Sequence, residues 1–150
     1  MGGVRQMVYL DTSAFLKLYV RERESEWVQA TIAAQHDPLP IWEILEMEFQ
    51  NALFLKVFWG DLKQSEAKHQ LSLFQGRKTK GFYFFPTLNR AELLEEFRRL
   101  SEYTPTSGCR TMDVLHVAFA SLIQPDRFIT FDDRQARLAK MANLTISEQQ

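Results

Sequence analysis

Met7-Val8-Tyr9-Leu10-Asp11-Thr12-Ser13-Ala14 decides how the rest of the chain is read. The apolar run before Asp11 is too short for a signal peptide or a membrane span, and it suits a buried strand. Asp11 then stands at the carboxyl end of that strand. Outward from it, strand-like runs fall at residues 39–41, 82–85, 127–130 and 144–146. Helical patterns fill 14–20, 24–35, 42–59, 62–75, 90–103, 112–123 and 133–142, with Thr111 as N-cap of the sixth. Asp37-Pro38 stops the second helix, Gly60-Asp61 stops the third, and residues 77–81 read as a polar loop. Short apolar strands alternating with helices imply a three-layer α/β/α arrangement around a central, mostly parallel sheet of four to five strands.

The chain is 150 residues long, which is one domain; residues 1–6 read as an extension and 147–150 as a tail. Hydrophobic residues make up 45%, enough for a full core, so disorder is excluded as the main state. Eighteen Lys and Arg against nineteen Asp and Glu leave a formal charge of -1. A non-specific nucleic-acid binder is usually strongly basic, so any such contact here must rest on a local patch. Arg77, Lys78 and Lys80 form the densest basic group. The single cysteine, Cys109, excludes an intrachain disulfide and a cysteine zinc cage, and it fits a reducing, cytoplasmic setting.

In an open α/β fold, ligands sit beyond the carboxyl ends of the strands. Asp11 and Asp132 occupy equivalent places after two strands, although Asp at such positions also caps helices. Asp113 is the only charge in the apolar helix 112–123. A buried, unpaired carboxylate there would cost more than a helix-dipole role returns, which a cation partner resolves. Glu48 falls in a stripe formed by Ile41, Leu45, Ala52, Leu55 and Trp59, whereas Glu46 points to the side of Glu43 and Gln50. Four carboxylates in one crevice raise each other's pKa, and oxygen-only ligands suit Mg²⁺ or Mn²⁺. Such a cluster frames metal-assisted phosphodiester hydrolysis. His116, three residues after Asp113, is either a hydrogen-bonded core histidine or a group facing water or phosphate. Met47, Phe54, Phe58 and Trp59 are core or a partner surface.

Four segments together resemble a known family. Val8-Tyr9-Leu10-Asp11-Thr12-Ser13-Ala14 is similar to the first acidic motif of PIN domains, and Glu48-Phe49-Gln50-Asn51-Ala52-Leu53 to the second. Arg110-Thr111-Met112-Asp113-Val114-Leu115-His116-Val117-Ala118 looks like the third motif, and Phe128-Ile129-Thr130-Phe131-Asp132-Asp133-Arg134-Gln135 like the fourth. The resemblance spans residues 7–146, and the VapC-type toxins of bacterial toxin–antitoxin pairs are the subgroup most similar. It implies a PIN-like fold, RNA cleavage, a VapB-like antitoxin partner and a homodimer. Asp11, Glu48, Asp113 and Asp132 would be the catalytic and metal-holding residues, with Ser13, His116, Thr130 and Asp133 orienting them or touching substrate. Glu46 stays an alternative to Glu48, and Asp133 to Asp132. The segment before Glu48 reads Trp42-Glu43-Ile44, where the family often has Ser or Thr.

A phosphatase using an aspartyl-phosphate needs a second Asp two residues after the first, and this chain has Ser13 there. The main rival is a catalytically inactive PIN-like module that binds RNA or protein, since fold alone does not assign activity.

Overall fold

The computed structural model describes residues 6–149; residues 1–5 of the expected extension and Gln150 of the expected tail lie outside them. Strand β1 (Val8–Leu10) is buried along its whole length, as a parallel strand covered on both faces must be. It pairs in parallel with β4 (Arg127–Ile129), Val8 opposite Arg127 and Leu10 opposite Ile129. A second parallel pair joins β2 (Leu39–Pro40) to β3 (Tyr83–Phe84), and β2 lies beside β1. Ile146 adds a parallel bridge to Phe128. All five expected runs therefore enter parallel pairing, but as two short ladders and a bridge. Pro40, which has no N–H to donate, limits the continuity between the two pairs.

The helices are α1 (Thr12–Leu16), α2 (Ser25–Ala34), α3 (Glu43–Phe58), α4 (Gln64–Thr79), α5 (Arg90–Ser101), α6 (Thr104–Ser107), α7 (Thr111–Ile123) and α8 (Asp133–Met141). Two expectations need correction here. Residues 77–79 are the last turn of α4 rather than a loop, and the helix ends only before Gly81, whose φ of 84° no β-carbon tolerates well. Arg and Lys are good helix formers, and these two lie over aromatic rings: Arg77 over Tyr19 at 4.9 Å and Lys78 over Phe74 at 5.6 Å. The N-cap of α7 is Arg110 rather than Thr111.

The core has two aromatic centres. Phe15, Tyr19, Phe49, Phe74 and Tyr83 pack edge to face or tilted between α1, α3, α4 and β3. Tyr9, Trp42, Phe119 and Phe128 fill the other, with Trp42 stacked on Phe119 at 4.4 Å. The buried face of α3 is Leu45, Phe49 and Leu53, one residue in every four. The stripe expected through Leu55 and Trp59 is thus displaced, and both residues are exposed. Among the described residues no helix is long and apolar enough to cross a membrane.

Candidate acidic site

Asp11 follows β1 and caps α1, so a short strand and a short helix fix its position between them. It is only 2% exposed. Ser13 Oγ (2.7 Å) and the Ala14 N–H (2.9 Å) donate to Oδ1, and Thr130 Oγ1 (2.5 Å) donates to Oδ2. Burial pushes the Asp11 carboxyl above its ordinary value; these hydrogen bonds pull the other way without cancelling it. Thr130 Oγ1 also accepts from the Asp132 N–H at 3.1 Å, and Ser13 Oγ accepts from the Phe131 N–H at 3.2 Å. Ser13 and Thr130 therefore tie the turn after β4 to the turn after β1.

Asp132 is the N-cap of α8, its Oδ1 accepting from the Gln135 N–H at 2.9 Å. Asp113 lies in the first turn of α7, where its Oδ2 accepts from the Arg110 N–H at 3.0 Å and its Oδ1 from Gln135 Nε2 at 3.3 Å. Asp113, Asp132 and the exposed Asp133 line one open cleft of about 530 Å³ with Arg110, Phe131 and Arg134. Three of the four candidate acids thus sit at helix N-termini, whose partial positive charge favours a carboxylate. Capping and site formation use the same side chains. The burial expected of Asp113 is only partial, because the first turn of α7 opens on the cleft and Met112 is exposed.

Glu48 leaves α3 toward the same region. Its Oε1 accepts from Thr12 Oγ1 at 2.8 Å and from His116 Nε2 at 2.5 Å. On the other side of the ring, His116 Nδ1 is 2.6 Å from the Tyr9 hydroxyl, which accepts from the Trp42 indole N–H at 3.0 Å. Tyr9 and His116 are buried, so every polar atom here needs a partner. One arrangement satisfies them all: the Tyr9 hydroxyl donates to Nδ1, and Nε2–H donates to the Glu48 carboxylate. A hydrogen on Nδ1 instead would leave the Tyr9 hydroxyl proton without an acceptor. For Glu48, burial raises the carboxyl, but the hydrogen bonds from His116 and Thr12 together hold it below its ordinary value. Glu46 is engaged elsewhere, 2.8 Å from Lys78 Nζ.

The four carboxylates are connected only in part: Glu48 accepts from Thr12, the sequence neighbour of Asp11; Asp11 accepts from Thr130, which also receives the Asp132 backbone N–H; and Asp132 and Asp113 both accept from Gln135. They do not merge into one cage: among the described residues no three His, Cys, Asp or Glu side chains are grouped to hold an ion. Asp11 spends both oxygens on protein donors. Glu48 Oε2 and Asp132 Oδ2 accept no hydrogen bond among the described residues. Of the basic group, Arg77 and Lys78 are held by aromatic rings and Glu46, while Lys80 is exposed at the end of α4.

Sequence reading missed Gln135, Tyr9, Trp42, Thr12, Arg110 and Arg134. The signal for Gln135 was its place three residues after Asp132, the spacing at which a helix N–H meets a capping carboxylate. Nothing local marked Tyr9 and Trp42, which meet His116 only in the folded chain.

A family profile described as PIN domain matches residues 8–141. Among solved structures, FitAcB from Neisseria gonorrhoeae superposes with a TM-score of 0.63 at 16% identity, covering 95% of this chain and 97% of that one. VapBC2 from Rickettsia felis, bound to a DNA fragment from its promoter, superposes at 0.65 with 15% identity, covering 94% and 98%. No curated protein sequence matches.

Proposed function

We propose, starting from a chain that belongs to the PIN-domain family, that it is a metal-dependent endoribonuclease and the toxin of a VapBC-like pair. PIN domains are generally nucleases. The observation that carries the reading is the open cleft walled by Asp113 and Asp132, with Asp11 tied to it through Thr130.

Mg²⁺ commonly keeps several waters and takes only one or two carboxylates, the rest of its shell coming from substrate phosphate. Asp113 and Asp132, oxygen donors on one cleft, fit that demand without a closed cage, and Asp11 and Glu48 stand behind them. Mg²⁺ or Mn²⁺, when bound, supplies Lewis acidity at the scissile phosphate. The chain's own part is positional. Helix N-termini hold Asp113 and Asp132 at the cleft, His116 and Thr12 hold Glu48, and Arg110 and Arg134 offer charge to phosphate at the rim. Ser13 and Thr130 fix Asp11. Arg77, Lys78 and Lys80 are then outlying RNA contacts.

With net charge near zero, binding to generic duplex is weak, and the substrate is an exposed single-stranded site in structured RNA. Met47, Phe58 and Trp59 are exposed on and just after α3, the apolar surface we assign to a second copy or a VapB-like antitoxin in the cytoplasm. The similarity to FitAcB and VapBC2 supports an antitoxin partner.

The test incubates purified protein with structured RNA, with Mg²⁺ or Mn²⁺ and then with chelator, and maps the ends. Water attack on phosphorus leaves a 5′ phosphate and a 3′ hydroxyl. Chelator-resistant cutting, or cyclic-phosphate ends, rejects the reading. Asp11, both of whose oxygens already accept from protein donors, favours a second reading, an inactive PIN-like binding module; RNA bound but never cut under any metal would establish it.

A further inference from the structure

Gln135 is the one described residue hydrogen-bonded to the side chains of both Asp132 and Asp113, to the first through its backbone N–H at 2.9 Å and to the second through Nε2 at 3.3 Å. It is 2% exposed, and its Oε1 is buried without any hydrogen-bond partner among the described residues. The amide cannot relieve this by turning over, because Oε1 would then face a carboxylate oxygen of Asp113, acceptor against acceptor. The interaction with Asp113 therefore leaves the other end of the same side chain bare. A buried acceptor without a donor is unfavourable, and an apolar side chain of equal volume would avoid it. Stability does not account for a glutamine at this position; the contact with Asp113 does.

We propose that Gln135 is a positioning residue that sets the separation of Asp113 and Asp132 for a divalent cation, at the expense of folding stability. The inference rests on the nuclease reading above. The backbone half of the clamp is part of the helix cap and survives substitution, so only the Asp113 half depends on the amide. Asp113, reached from one side by the Arg110 N–H and from the other by Gln135, loses its second restraint when the amide is removed. Outer partners of metal-holding groups typically change metal affinity by about 10–100-fold.

Gln135→Met and Gln135→Leu remove the amide and keep the bulk. Both variants and the wild type are melted without metal and across a Mn²⁺ titration. The expected result is a metal-free Tm equal to or above that of the wild type, with the Mn²⁺ concentration for half-maximal stabilisation raised by about 10–100-fold. RNA cleavage at low Mn²⁺ falls in parallel and is recovered at high Mn²⁺. A lowered metal-free Tm in both variants with an unchanged Mn²⁺ midpoint would make Gln135 a structural residue and overturn the proposal. If the wild type itself ignores Mn²⁺, the nuclease reading fails and takes this inference with it. If the wild type responds and both variants respond at the same concentration, only this inference fails.

Discussion

The two ends of the acidic site are held by opposite means. At the Glu48 end, a chain of buried donors runs from Trp42 through Tyr9 and His116 to a single carboxylate oxygen, across residues from β1, α3, α7 and the N-cap of α3. At the other end, Asp113 and Asp132 are restrained by main-chain N–H groups and one amide, and both line open space. The first end is rigid because Trp42, Tyr9 and His116 are buried and hydrogen-bonded to one another, with only Glu48 partly exposed. The second is accessible because its carboxylates sit where helices begin, at the surface. The proposed RNA substrate, a long, charged polymer, would use both: open access at one end and fixed geometry at the other.

The largest expected effect lies at the open end. Asp113→Asn and Asp132→Asn each lower kcat for RNA cleavage by more than the roughly 10–100-fold that outer partners cost, whereas Glu46→Gln leaves most of it. Equal losses in all three would erase the distinction between the cleft and its surroundings. At the rigid end, His116→Ala is expected to destabilise the fold by about 2–4 kcal/mol in denaturant unfolding, a cavity plus an orphaned Tyr9 hydroxyl. Asp113→Asn under the same conditions should be near neutral. A neutral His116→Ala would mean the buried chain is not the rigid half.

A smaller effect separates Asp11 from both ends. Its folded carboxyl lies above the ordinary value because of burial, so the folded chain holds the proton more tightly than the unfolded one. Its contribution to stability therefore declines as pH rises from the unfolded range, about 3.9, through the folded value. Metal-free Asp11→Asn is expected to melt above the wild type at pH 7, with the gap closing as pH falls toward 3; a gap that widens in acid would contradict the burial argument. The smallest effect is at Lys78, outside either end. Lys78→Met breaks a half-exposed pair with Glu46 and should change stability by less than about 1 kcal/mol.

Much of this was legible before folding. Each strand-like run enters parallel pairing, because an apolar run bounded by Asp, Pro or Gly has few alternatives in a chain this helical. The three aspartates were legible as strand-end and helix-start residues, and their capping and cleft-lining positions follow from that one property. Glu48 was singled out by a stripe whose outer members turned out exposed; it faces the site because Thr12 and His116 receive it. The polar reading of residues 77–79 failed because charge was weighed without the aromatic rings that Arg77 and Lys78 cover. The contacts of Gln135 with Asp113 and of Tyr9 with His116 were illegible for a plain reason: each spans more than twenty residues of chain, and no local pattern encodes it.

The pairing of β1 with β4 also has a consequence in time. Val8 meets Arg127, so the strands that lead to Asp11 and to Asp132 are synthesised more than a hundred residues apart. A nascent chain that has emerged only as far as α7 already contains Asp11, Glu48 and His116, but Thr130 and Gln135 have not arrived to hold Asp11 and Asp113. Loop-closure entropy makes this long-range pairing a late event in folding as well. Until the segment after α7 docks, therefore, the acidic site is not assembled.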